Sequence, residues 1–89
     1  MLTFNLRMLP MVFENIDSSA IYRIKCEENG VFVTFQSNID KIYQYSTKDV
    51  ENFAKSVENC INDPKSSIGR FINVSTRDGT LELVDLTNK

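Results

Sequence analysis

Three groups of residues are of a type and spacing that could do chemistry. Tyr43 and Tyr45 stand two positions apart, and Phe32, Arg23 and Lys25 occupy alternating positions of earlier apolar segments. Aromatic rings beside cations are the combination that holds unpaired bases, the rings by stacking and the cations by charge. Stacking contributes about 1–3 kcal/mol per base, so two or three rings could bind a single strand without a strongly basic protein. The competing use of the tyrosines is packing under a helix or the chain ends with their hydroxyls hydrogen-bonded. Ser66, Ser67, Gly69 and Arg70 form the second group. At a turn or helix start they would offer a phosphate hydroxyls, backbone N–H groups and one guanidinium, with Gly69 permitting close approach. The Gly-x-x-x-x-Gly-Lys frame of a Walker loop is missing, and close packing between helices, or a bend, is the other use for Gly69. The third group is the two thiols, Cys26 and Cys60.

The thiols do not extend to a metal centre or a nucleophile. They are 34 positions apart, no CxxC pair occurs, and the chain has no histidine to complete a four-ligand zinc site. Cys26 falls inside an expected strand and Cys60 near a helix C-terminus, whose dipole raises a thiol pKa. Both read as buried free thiols of a reducing interior. Without histidine the usual general base near neutral pH is also gone, and the twelve carboxylates show no paired spacing. The expectation is a non-enzymatic protein with no cofactor and no metal.

Charge restricts the partners. Ten Lys and Arg against twelve Asp and Glu give net charge −2, with a sequence pI near 5.0. That is not the broad basic field of a typical nucleic-acid binder, so any anion site must be local. The 89 residues, 42% hydrophobic and 25% charged, fit one globular domain spanning 1–89. Met1 to Phe13 is apolar but interrupted by Asn5, Arg7 and Pro10, so neither a signal peptide nor a membrane span is expected, and the expected compartment is the cytoplasm.

The elements that must position these residues follow from periodicity. Asn29-Gly30 lies between two alternating segments, Ala20 to Glu28 and Val31 to Gln36. A type I′ hairpin centred there pairs Glu28 with Val31, Cys26 with Val33 and Ile24 with Phe35. It gathers Tyr22, Ile24, Cys26, Val31, Val33 and Phe35 on one face and leaves Arg23, Lys25 and Phe32 on the other. Lys41 to Ser46 is a third strand, and parity of the Ser37-Asn38-Ile39-Asp40 loop decides its orientation. An even loop, the favoured reading, puts Ile42 in the core and Tyr43 and Tyr45 beside Phe32, Arg23 and Lys25; an odd loop buries both tyrosines.

Ser46 or Thr47 is a candidate cap, with Asp49 in the first turn, and Val50, Phe53, Ala54, Val57 and Ile61 then recur at helical spacing. Pro64 ends that helix near Asn62. A short second helix near Lys65 to Asn73 opens with Asp63 as cap and Pro64 at its first position. Asp78-Gly79 is a second hairpin signal, pairing Val74 with Leu83 and Thr76 with Leu81, so Val74 to Arg77 is a possible partner of a strand from Thr80 to Leu86.

The order Ser18-Ser19-Ala20-Ile21, apolar hairpin, Tyr43-Gln44-Tyr45, helix, and Ser67-Ile68-Gly69-Arg70-Phe71-Ile72-Asn73 resembles the KTSC domain family. Members occur at the C-terminus of some lysyl-tRNA synthetases and as stand-alone small bacterial and phage proteins. The family's YxY element corresponds to Tyr43 and Tyr45, and its Ser-x-Gly-x-aromatic element to Ser67, Gly69 and Phe71. The likeness covers about residues 17–74, leaving 1–13 and 76–89 outside. The Ser37–Asp40 loop replaces the family's tight glycine turn, and Ser46-Thr47 replaces its frequent Val-Pro. The resemblance implies no settled activity and suggests RNA binding.

The expected fold is α+β, an antiparallel sheet of three to four strands with one amphipathic helix and a second short helix packed on its apolar face. Two functions from different classes remain. One is an RNA- or nucleotide-binding module using Tyr43, Tyr45, Phe32, Arg23, Lys25, Ser67, Gly69 and Arg70. The other is a protein-interaction module that captures another protein or a second copy through a sheet edge, with Met1 to Leu6 or Thr80 to Leu86 as the edge strand.

Overall fold

The computed structural model describes residues 9–14 and 16–88. In chain order it has strands β1 (Met11–Phe13), β2 (Ile21–Glu27), β3 (Gly30–Phe35) and β4 (Lys41–Ser46), helices α1 (Val50–Asn62) and α2 (Ile68–Arg77), and strand β5 (Glu82–Asn88). The strands form one antiparallel sheet in the order β1-β2-β3-β4-β5, and both helices pack against one of its faces. The architecture is the α+β class read from the sequence, with one strand more than the upper expectation. Met1 to Leu6, the other expected edge strand, lies outside the described residues.

The hairpin forms, but in a different register. Cys26 faces Val31, Ile24 faces Val33 and Glu27 faces Gly30, so Glu28 and Asn29 make the turn and Gly30 opens β3. Arg23 to Glu27 therefore each meet a partner two positions earlier than a turn centred on Asn29-Gly30 would give. A two-residue slip preserves parity, which is why the expected apolar face survives it. Gly30 serves another need: its φ is +138°, and a Cβ there would lie 2.4 Å from the Tyr45 carbonyl oxygen.

Tyr22 is a correction. A bulge between Ile21 and Arg23 turns Ile21 into the core and leaves Tyr22 41% exposed. The bulge moves one residue across the pleat, so the larger apolar gain, full burial of Ile21, decides which side chain goes inside.

The β3–β4 connection is odd, not even. Phe35 and Lys41 bracket five residues, with Asn38 N–H donating to Phe35 O at 3.1 Å and Lys41 N–H donating to Asn38 O at 3.2 Å. The register pairs Val31 with Tyr45, Phe32 with Gln44 and Val33 with Tyr43. Both tyrosines thus lie on the helix face, while Ile42 and Gln44 lie on the outer face. Burying two rings and one edge-to-face contact, Phe35 on Tyr43 at 5.1 Å, outweighs placing one isoleucine inward beside a glutamine amide. Gln44 instead reaches the hairpin turn, its Nε2 donating to Asn29 O at 3.3 Å.

Helix α1 agrees with its periodicity: Phe53, Ala54 and Val57 are buried, and Val50 and Ile61 pack beside them. Its cap is Asp49, whose Oδ1 accepts from Asn52 N–H at 3.0 Å, in place of Ser46 or Thr47. The helix ends at Asn62, two residues before Pro64, as expected.

Helix α2 starts later and runs further than the sequence indicated. Asp63 and Pro64 sit in the connecting turn, Ser67 is the cap, and the helix continues to Arg77. Val74 to Arg77 is therefore helical and no Val74–Leu83 hairpin exists. Gly79, at φ +89°, reverses the chain after α2, and Leu81 N–H donates back to Ser75 O at 3.0 Å. The buried stripe of Ile68, Ile72 and Ser75 runs at helical spacing and decides for helix, because a strand from Val74 would break it at Ser75.

The core joins Ile21, Ile24, Cys26, Val31, Val33 and Tyr45 of the sheet to Phe53, Ala54, Val57, Ile68 and Ile72 of the helices and to Leu81 just before β5. No helix among the described residues is long and apolar enough to cross a membrane.

Candidate functional site

Tyr43 and Tyr45 come together: their rings are stacked at 6.5 Å between centroids and 13° between planes. They do not share a face with Phe32, Arg23 and Lys25, which the strand pairings place on the outer side. Tyr45 is only 7% exposed, so its ring is part of the core. Burial pushes its hydroxyl pKa upward, and the neighbouring Tyr43 adds to that shift.

The outer-face cations are engaged with carboxylates. Arg23 Nε lies 2.7 Å from Glu14 Oε2, and Lys25 Nζ lies 3.3 Å from Glu27 Oε2. The Arg23 contact is a close ion pair whose N–H does not point along the line to the oxygen, so the nitrogen, shielded from solvent, lacks a well-aimed acceptor. The aromatic and cationic parts of the base-stacking site read from sequence thus lie on opposite sides of one sheet.

Ser67, Gly69 and Arg70 meet at the start of α2. Ser67 Oγ accepts from Arg70 N–H at 3.2 Å, which uses the hydroxyl as a helix cap. Gly69 is needed for close packing, against Ala20 just before β2 and not between helices: a Cβ there would be 2.9 Å from Ala20 Cβ. The Ser18-Ser19-Ala20 and Ser67-x-Gly69 segments are therefore in contact. Ser18 completes the first, its Oγ accepting from the N–H groups of Ala20 at 3.1 Å and Ile21 at 3.0 Å.

Beside this start, α1 and α2 enclose an open cleft of about 780 Å³ bordered by Asn59, Cys60, Asp63, Lys65, Arg70 and Phe71. Its floor is the Phe71 ring, stacked on Phe53 at 5.4 Å. The Lys65 N–H and Ser66 hydroxyl both donate to Asp63, at 2.9 Å each, and hold its carboxyl below the usual range. The thiol of Cys60 is raised by burial and by Asp63, opposed by a hydrogen bond with Ser66. Cys26 is fully buried, and burial pushes its pKa up to about 11. Neither thiol is activated.

Among the described residues, three of the exposed large hydrophobic side chains lie on β5. Every residue from Glu82 to Asn88 is exposed although all belong to a sheet, with Leu83 at 55%, Val84 at 56% and Leu86 at 46%. Leu86 pairs with Tyr43 and Leu83 with Tyr45, so both leucines continue the helix face beyond the area the helices cover. Between β5 and the end of α2 runs a groove of about 460 Å³ lined by Tyr43, Tyr45, Thr76, Arg77, Leu81 and Leu83. The alternation of Leu81 and Leu83 marked this segment as a strand. Its place at the edge beside β4 had no local signal, because it depends on where α2 ends. The chain matches no family model, no curated protein and no solved structure.

Proposed function

We propose that this protein is a non-catalytic protein-interaction module that takes an added strand along β5. The observation that carries the reading is the exposure of every residue of β5, with three large apolar side chains about half exposed at one sheet edge. An edge strand offers unpaired backbone donors and acceptors for a further strand, and the adjacent groove offers pockets for alternate side chains. An exposed apolar strip flanked by Glu82, Asp85 and Arg77 has the form of an interaction site. A peptide-display selection on the folded protein tests this. Wild type is expected to enrich segments of alternating apolar residues that Leu86→Lys does not retain, and equal enrichment by both proteins, or none, refutes it.

A second reading follows the KTSC resemblance, with RNA or a nucleotide held in the α1–α2 cleft. Lys65 and Arg70 border that cleft beside the Phe71 ring, and the Ser67-x-Gly69-x-Phe71 element forms one wall. Here Arg70→Ala should abolish salt-sensitive binding of labelled single-stranded RNA, whereas binding that survives it removes the cleft from consideration.

A further inference from the structure

Resting on the β5 reading, we infer that the strand taken up there is a cationic peptide segment, with Lys or Arg at alternate positions facing the outer side of the sheet and apolar residues between them facing the helices. The β4–β5 register sorts the side chains of β5 by kind. Tyr45 pairs with Leu83 and Gln44 with Asp85, so Val84 is an extra residue without a counterpart in β4. That insertion puts Glu82 and Asp85, three positions apart, on the same outer side, opposite Ser46 and Gln44, which are two apart. Leu83 and Leu86 stay on the helix side. Among the described residues neither Glu82 nor Asp85 is in an ion pair, whereas Glu14 and Glu27 are engaged by Arg23 and Lys25. An added strand of regular pleat presents side chains two positions apart at the spacing of Ser46 and Gln44, so two such cations reach both carboxylates at once. The helix side opposes the same cations, because Arg77 lines the groove there beside Leu81 and Leu83. Charge and apolar surface therefore select one orientation of the incoming strand's faces.

Asp85 also engages the backbone of the edge. Its Oδ1 accepts from the Leu86 N–H at 2.8 Å. The donor so occupied is one that an added strand would use, and a carboxylate placed over it discourages pairing by a neutral strand. A Lys or Arg facing Asp85 draws the carboxylate into an ion pair and leaves the Leu86 N–H for a carbonyl of the incoming strand.

Anisotropy of labelled seven-residue peptides, the length of β5, tests this on the whole chain. Three probes share valine at odd positions and carry lysine, threonine or glutamate at even ones. The lysine peptide is expected to bind most tightly and to weaken with added NaCl, the threonine peptide to bind less well and without salt dependence, and the glutamate peptide not to bind. Glu82→Gln with Asp85→Asn should weaken the lysine peptide about 2- to 25-fold, the product of about 1.4- to 5-fold for each cross-strand ion pair. Glu51→Gln with Glu58→Gln, which removes the same charge from the exposed side of α1, should not. Asp85→Ala should bind the threonine peptide more tightly than wild type does. Glu82→Lys with Asp85→Lys should transfer the preference to the glutamate peptide, a gain that misfolding cannot produce. Equal affinity for the three probes, equal weakening by the β5 and α1 pairs, or a lysine preference that survives the double reversal overturns the inference and leaves strand addition at β5 standing. If no probe binds, the inference falls, and strand addition falls with it where the display selection also fails.

Discussion

Replacing Gly30 by alanine tests the placement of β4 against the hairpin. The position combines φ +138° with a backbone oxygen, Tyr45 O, at 2.4 Å from where the Cβ would sit, about 1 Å inside the shortest ordinary contact of 3.4 Å. The backbone conformation alone costs an L-residue about 1–3 kcal/mol. The overlap adds about 1–3 kcal/mol, because the opposing atom belongs to the β4 main chain and has no rotamer by which to withdraw. Together these are a large part of the roughly 4–13 kcal/mol expected for a chain of this length. Gly79 is the internal control: its φ is +89° but nothing lies within 4 Å of an added Cβ, so Gly79→Ala carries the conformational cost alone. Urea unfolding followed by far-UV circular dichroism gives both free energies, and thermal midpoints should fall by about 4–8 °C per kcal/mol. Gly30→Ala is expected to be the more destabilising by about 1–3 kcal/mol, with hydrogen-exchange protection lost first at Val31 and Tyr45. Equal costs for the two variants, or a Gly30→Ala protein within 1 kcal/mol of wild type, would refute the close approach of β4.

Four other outcomes can be checked with the same measurements. Asp49→Ala and Ser67→Ala each remove a helix cap and should lower stability by about 1 kcal/mol, with Asn at either position restoring most of it. Gly69→Ala should be destabilising because its methyl would meet Ala20 Cβ at 2.9 Å, and Ala20→Gly in the same chain should recover the loss; no recovery would place the strain elsewhere. Cys26 titrates near 11 when folded, so its unfolded form gives up its proton first and stability should fall as pH rises from about 9 to 11, by at most about 1.4 kcal/mol per unit. Urea midpoints across that range should fall less steeply in Cys26→Ala, and a thiol reagent at pH 8 should modify Cys60 well before Cys26. Tyr43→Ala removes the cross-strand partner of Leu86 and should loosen β5, seen as faster exchange of the β5 amides while the helices keep theirs.

What the sequence showed was set by local period; what it hid was set by parity and by length. The face of the hairpin was legible because Ile24, Cys26, Val31 and Val33 alternate, and alternation is unchanged by a two-residue slip in register. The orientation of β4 was not, since Ile42 on one side and Tyr43 with Tyr45 on the other are both apolar sets and one loop residue exchanges them. That exchange separated the expected base-stacking site, sending its tyrosines under the sheet and leaving its cations outside. Helix α1 was legible from Val50 to Ile61 because its stripe is long. At α2, Asp63-Pro64 and Ser67 both offer starts, and Val74 to Arg77 fits a helix and a strand equally until Ser75 is seen to be buried. Gly69 was expected to pack between helices, to allow a bend or to admit a phosphate; it packs on Ala20, which is distant in sequence and carries no chemical mark.

The two edges of the sheet differ in how they meet solvent. Edge strand β1 has three residues, and Met11 and Phe13 turn their side chains toward the core. A strand so short presents little ladder to another chain. Strand β5 has seven residues, and neither helix covers Leu83 or Leu86. On the outer face the cations Arg23 and Lys25 are neutralised within the chain by Glu14 and Glu27, so that face has little charge left for a polyanion. Leu83, Val84 and Leu86 leave apolar side chains exposed at the β5 edge, and Leu83 lines the groove between β5 and the end of α2. Glu82 and Asp85 interrupt that apolar surface with carboxylates, so a like-charged strand beside it would be disfavoured.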